Sequence, residues 1–238
     1  MADPVVVARG PSQRARRARK RPGAGRPTRE QARQRHDELL DTALDHFLDR
    51  GYEQATIDAI AASVGMTKRT VYARYPDKAA LFRASVQRAI EQLIVPHATL
   101  AALESGDLEA TLTAVARSRV AQVMTPAGLK LQRIINTESY RFPEIFTMSY
   151  EQGTRPVIEF LAALLRRETD AGRLSATDPV MAATVFMSMV VGGPVRMIVS
   201  GQRLPSRQIE ARLAFAVQLF LDGARARRVE LRPREVRS

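Results

Sequence analysis

Lys68, Arg69 and Arg74 stand close together in TIDAIAASVGMTKRTVYARYPDKAALF, residues 56–82, with no acidic residue between them. Such a cluster does recognition chemistry rather than bond-making. Lys and Arg donate to guanine O6 and N7 in the DNA major groove, and Thr70 adds a hydroxyl and a methyl. The residues around them spell the elements that must position them. Ile57, Ile60, Ala61 and Val64 form the apolar stripe of a short helix, and Thr56 is placed to cap its free N–H groups. Gly65 supplies the left-handed backbone that closes this helix, and Thr67 caps the next one. That second helix leaves Lys68, Arg69 and Arg74 pointing outward, keeps Val71 as its apolar anchor, and stops at Pro76. Asp77 caps a third helix that starts at Lys78 and buries Leu81 and Phe82. Two short capped helices about a glycine turn, the second of them cationic, read as a DNA-binding helix-turn-helix.

Bond-making chemistry finds no comparable set of residues. The chain has no G-x-S-x-G, no phosphate-cradling glycine loop, no H-E-x-x-H and no carboxylate cluster at metal spacing, so neither an enzyme nor a cofactor or metal is expected. His36, His46 and His97 are solitary, the first two expected on the solvated side of a scaffold helix. With no Cys there is no disulfide frame and no thiolate site, which is compatible with a reducing cytosol. The 238 residues are 45% hydrophobic but only 5% aromatic, without Trp; Ala, Leu, Val and Ile dominate and no alternating strand pattern recurs. The expected fold class is therefore all-α, with enough apolar residues for a real core.

The run from Gly51 to Phe82, with GYEQAT, IDAIAASVGMTKRTVYARY and DKAALF in order, resembles the DNA-binding domain of the tetracycline-repressor (TetR) family of bacterial regulators. The match rests on Gly51-Tyr52, Thr56, the Ala61 to Gly65 step, Thr67-Lys68, Tyr72, Tyr75, Lys78 and Leu81-Phe82. Arg69, where many members carry a small residue, and Tyr75, where many carry Phe, depart from the pattern. The resemblance implies an N-terminal three-helix helix-turn-helix domain and a larger helical domain for ligand binding and dimerisation. It also implies that Thr56, Thr67, Tyr72 and Lys78 grip phosphates, with Arg74 on phosphate or base, while Lys68, Arg69 and Thr70 are the expected base readers.

Charge is unevenly spread. Residues 1–35 hold eleven Arg or Lys against two acids, nine of the net twelve positive charges. Val5 to Val7 is too short for the apolar core of a secretory signal. Residues 1–28 thus form a basic arm, and Gly25-Arg26-Pro27 is similar to the core of an AT-hook, in which Arg26 would enter an A/T-rich minor groove. A merely solvated basic tail is the equal alternative.

The remaining chain divides at 29–76, the DNA-binding domain, 77–222, the effector and dimerisation domain, and 223–238, a basic tail. Leu39, Leu40, Ala43, Leu44, Phe47 and Leu48 give the first helix its apolar face, and Gly51 ends it. Gly153 and Pro156 place a break in the helical stretch from Glu144 to Arg167. Asp178-Pro179 opens VMAATVFMSMVV, apolar nearly all round and expected to be buried on every side. Thr184, Ser188, Gly192 to Pro194 and Arg196 interrupt it, so no membrane span is expected. Ser206 is the expected cap of the last helix. The resemblance implies that the last two helices pair in a homodimer, which would read a palindromic operator in double-stranded DNA. It also implies a small-molecule effector pocket among residues 97–197. Met124, Phe142, Phe146, Met148, Phe186, Met187 and Met189 are its expected apolar lining, and Asn136, Glu138 and Tyr140 its polar contacts; each is equally readable as ordinary core or surface. INTESYRFPEIF also resembles a branch of the family that includes efflux-pump regulators.

The reading is a ligand-responsive regulator, expected as a repressor in the bacterial cytoplasm and on the nucleoid when DNA-bound. An activator or a non-specific architectural DNA-binding protein are the alternatives. Deleting residues 1–28 should flatten the salt dependence of DNA binding, because fewer counterions are released; an unchanged slope would show that the arm does not touch DNA.

Overall fold

The computed structural model describes residues 28–202 and 204–225. Arg26, most of the basic arm and most of the C-terminal tail lie outside the described residues. Those described form twelve helices and no strand, only an isolated bridge between Leu174 and Arg225. Helix α1 (Arg29–Gln54) starts in a reciprocal cap: Thr28 Oγ1 accepts from the Gln31 N–H at 3.2 Å, and Gln31 Oε1 accepts from the Thr28 N–H at 3.0 Å. Gly51, at φ 73° and ψ 164°, breaks the helical geometry where the sequence places the end, and one further turn carries Tyr52 inward. Helices α2 (Ile57–Ser63), α3 (Lys68–Tyr72) and α4 (Lys78–Glu91) follow.

The body comprises α5 (His97–Ala101), α6 (Leu108–Val123), α7 (Pro126–Glu138), α8 (Pro143–Ser149), α9 (Arg155–Asp170), α10 (Pro179–Met187), α11 (Gly193–Val199) and α12 (Ser206–Ala224). Where Gly153 and Pro156 promised a break, a π-helical turn, Tyr150–Thr154, joins α8 to α9. A second one, Ser188–Gly192, joins α10 to α11. Asp178 caps α10 as expected, accepting from Val180 and Met181 at 3.0 Å. Ser206 does not cap α12. Pro205 holds the cap position, and no side chain bonds the free N–H groups there.

By length and hydropathy Pro179–Val199 would suffice to cross a membrane, despite its interruptions. In the fold it is a body helix: Ala183, Phe186, Met187 and Val190 are buried in the core formed with α6, α9 and α12. It is not buried all round, since Val180, Met181 and Val185 are exposed.

The apolar interior has two parts. One holds α5, α6, α9, α10 and α12, and includes Phe186 against Phe220 with centroids 5.1 Å apart. The other joins the head to the body: Leu39, Phe47, Ile60, Val71 and Phe82 share it with Leu131, Ile134 and Ile135 of α7 and with Phe142 and Ile145 at α8. Phe142 packs at 4.7 Å from both Tyr52 and Phe82, and Phe82 meets Phe47 edge-on at 5.0 Å. Arg83 to Glu144 at 2.7 Å and Arg88 to Asp37 and Asp41 at 3.0 and 2.8 Å border this joint.

Gly128 fixes how closely α7 approaches the end of α6. A Cβ there would lie 2.5 Å from the Val123 carbonyl oxygen and 2.6 Å from that of Gln122, both backbone atoms. Gly128→Ala should therefore destabilise the fold by about 1–3 kcal/mol through overpacking, lowering Tm in a thermal melt. An unchanged Tm would show that α7 can shift freely.

Candidate nucleic-acid interface

Helices α2 and α3 have seven and five residues, too few to be stable alone, so local caps and tertiary anchors must hold them. Thr56 Oγ1 accepts from the Ala59 N–H and Thr67 Oγ1 from the Thr70 N–H, each at 3.2 Å. Gly65 makes the turn at φ 63°. Val71 is completely buried, so α3 is pinned by its centre while Lys68, Arg69, Thr70, Tyr72 and Arg74 remain exposed together on its outer side. The Thr70 and Thr67 hydroxyls lie 2.8 Å apart.

Lys68 is engaged: Nζ donates to Asp58 Oδ2 on α2 at 2.7 Å, and this hydrogen bond raises its pKa. Lys78 is engaged more completely, donating to the carbonyls of Tyr52, Glu53 and Ala55 at 2.8, 3.0 and 3.1 Å and lying 4.5 Å from the Tyr52 ring centroid. Its ammonium closes the C-terminal end of α1, where free carbonyls and the helix dipole favour a cation. Arg69 and Arg74 form no ion pair among the described residues.

Two histidines expected in solvent instead tie α1 to the reading unit. His36 Nε2 and the Tyr75 hydroxyl are 2.6 Å apart with their rings stacked, and His46 Nε2 lies 2.9 Å from Ser63 Oγ. Ser63 is the last residue of α2 and Tyr75 lies just past α3, partners that periodicity within α1 cannot show.

In the body, a cavity of about 330 Å³ opens between α6 and the two helices interrupted by π turns. Of the expected effector residues it brings together Phe146 and Met187. Phe142 lies in the head–body ring cluster, Met148 packs against the same core, Phe186 is completely buried, and Met124 packs on the body core. Met189 faces a separate groove with Phe215 and Leu219. Asn136 is exposed and donates to its own helix, at the Gln132 carbonyl; Glu138 is half-buried; Tyr140 is fully exposed. The lining that the sequence reading missed includes Arg119, Gln132, Ile135, Tyr150, Thr154, Thr184 and Ser188. Arg119 had a legible signal. It falls on the apolar stripe of α6, three and four residues from Ala116, Val115 and Val123.

Residues 39–85 match the family model for bacterial regulatory proteins of the tetR family, and residues 110–223 match that for the AefR-like transcriptional repressor C-terminal domain. The flavonoid-responsive regulator FrrA is 31% identical, and the alignment covers 82% of this chain and 98% of FrrA, with a TM-score of 0.63. The chain belongs to the TetR family of transcriptional regulators. A Mesorhizobium loti protein assigned to the same family superposes with a TM-score of 0.67 at 25% identity, covering 84% of this chain and all of that one. A helix-turn-helix transcriptional regulator of Mycobacterium tuberculosis is 44% identical over 62 residues, 26% of this chain. That match spans about a third (31%) of the curated relative's length. The fold of this TetR-family protein and its character as a regulator, not an enzyme, agree with the sequence reading.

Burial first and the charge of Arg74 second lower the pKa of His36 from 6.5, with Asp37 pulling the other way and Arg88 adding a lesser push down. A histidine held neutral in the fold binds fewer protons than in the unfolded chain, so its contribution is present above pH 6.5 and falls away as the pH drops through that value toward the lowered pKa. Denaturant melts should show acid destabilisation over this window, and His36→Gln should reduce it. Identical pH dependence in the variant would remove His36 from the account.

Proposed function

We propose that this chain is a ligand-responsive repressor that reads a palindromic operator as a homodimer and releases it when a small, largely apolar molecule fills the cavity of the body. Base reading falls to Lys68, Arg69 and Thr70, with Thr56, Thr67 and Tyr72 on flanking phosphates and Arg74 on either. The phosphate role that the resemblance gives Lys78 is carried here by a residue whose donors already hold α1, so it acts on DNA chiefly through the joint.

The observation that carries the reading is the double use of α7 and α8. Leu131, Ile134, Ile135 and Ile145 complete the interior of the head, while Gln132, Ile135 and Phe146 line the cavity. A ligand that shifts α7 or α8 must disturb the packing that sets the head's orientation. It lowers operator affinity only by preferring the conformation that fits DNA poorly. The similarity to FrrA, a flavonoid-responsive regulator, supports a small-molecule response.

Dimerisation is supported by exposed apolar side chains on the last long helices: Met181 and Val185 on α10 are 58% and 46% exposed, and Phe215 and Leu219 on α12 are 70% and 52% exposed. So much apolar surface on helices of a soluble-type core marks a contact surface. The AefR-like repressor match over residues 110–223 favours repression over activation. The cytoplasm, on the nucleoid, is the proposed place of action.

Selection of bound sequences from random duplex DNA by the full-length protein tests the reading. An enriched palindrome supports it; unenriched or merely A/T-rich DNA overturns it in favour of an architectural role. On the selected site Arg69→Ala should cost about 1–3 kcal/mol and relax discrimination at particular base pairs. Equal losses on operator and random DNA would sink its role as a base reader.

A further inference from the structure

The body buries one cation that no acid balances. Arg119 on α6 is 7% exposed, and no Asp or Glu pairs with it among the described residues. Its Nη1 donates to Gln122 Oε1, while its Nε is buried without any partner. Burial alone pulls its pKa down, with no neighbouring charge contributing in either direction. An uncompensated buried charge is costly, and a buried donor without a partner costs further. Nothing in packing calls for a guanidinium on this stripe, since its helix neighbours Val115, Ala116, Val120 and Val123 are apolar.

Arg119 also lines the 330 Å³ cavity. Both π turns contribute to the same lining, with Tyr150 and Thr154 from one and Ser188 from the other. Such turns interrupt a helix at a cost and recur where helices are shaped around a site. The rest is largely apolar, including Ile135, Phe146, Ile158 and Met187, and no acidic residue lines it.

We propose that the cavity takes an organic acid, an apolar or aromatic body bearing one carboxylate that pairs with Arg119. The proposal rests on the effector reading given above and deepens it. The carboxylate supplies the counter-charge that the fold leaves out, and a guanidinium offers it a two-pronged, charge-assisted contact. The Thr154 hydroxyl lies around the same space, while those of Thr184 and Ser188 already donate to the Val180 and Thr184 carbonyls of their own helix. A path for the signal follows from the same side chains: Gln122, held by Arg119, donates through Nε2 to the Leu93 carbonyl at 2.6 Å, just beyond the end of α4. A ligand that draws Arg119 inward therefore acts on the helix that carries the head.

The test titrates the purified full-length protein with 2-naphthoic acid and with 2-naphthalenemethanol, which share a ring system and differ in the charged group. The acid should bind at least about tenfold tighter than the alcohol, the factor that one charge-assisted hydrogen bond supplies. Arg119→Met should erase the difference between the two probes, and Arg119→Lys should keep part of it. Equal binding of the two probes, no binding of the acid, or an undiminished preference in Arg119→Met overturns the proposal. The wild-type comparison decides even if Arg119→Met does not fold. Naphthoate that binds through Arg119 but does not release the selected operator upholds the ligand chemistry and sinks the effector reading instead.

Discussion

Phe142 stands at the start of α8, in the body, yet its ring packs on Tyr52 and Phe82 of the head. Most else in the structure depends on this shared interior. A head of four helices that included its own closed core would move as a separate bead on α4. Here the core is completed by α7 and α8, so the orientation of the reading helix is set by helices that also wall a cavity. Close-packed interiors deform by switching between arrangements rather than by yielding smoothly, which makes such a joint suited to two states.

Polar contacts refine what the rings set. The three carbonyls gathered by Lys78 bind the last turn of α1 to the first turn of α4, and the Arg141 guanidinium lies 4.6 Å from the Tyr52 ring centroid. Arg88 reaches Asp37 and Asp41 across the same pair of helices. Exposed ion pairs contribute little one by one. Their place here is geometric, because each spans the head–body seam or the α1–α4 crossing.

The reading unit was legible because its signals are local. Thr56, Thr67 and Asp77 cap within three residues, Gly65 turns and Pro76 stops, and none of this needs a distant partner. The body was legible as helices but not as a site. Phe142 and Phe146 are one turn apart, and only the fold sends the first into the head and the second to the cavity. The π turns were half-announced by Gly153 and by Gly192-Gly193-Pro194, which read as breaks because periodicity gives no sign that the chain widens by one residue and continues. His36 and His46 looked solvated for a similar reason: their partners, Tyr75 after α3 and Ser63 at the end of α2, lie outside α1.

The contact between Asp58 and Lys68 has a consequence for how the head meets DNA. On the proposed reading of Lys68 as a base contact, the Asp58 carboxylate occupies its ammonium when no DNA is bound. Any duplex must then displace this internal partner before it gains Lys68. Added salt weakens the attraction of the head for phosphates, but it also loosens this exposed pair and frees the ammonium. The two effects oppose each other. The slope of affinity against salt will then undercount the charges that touch the duplex.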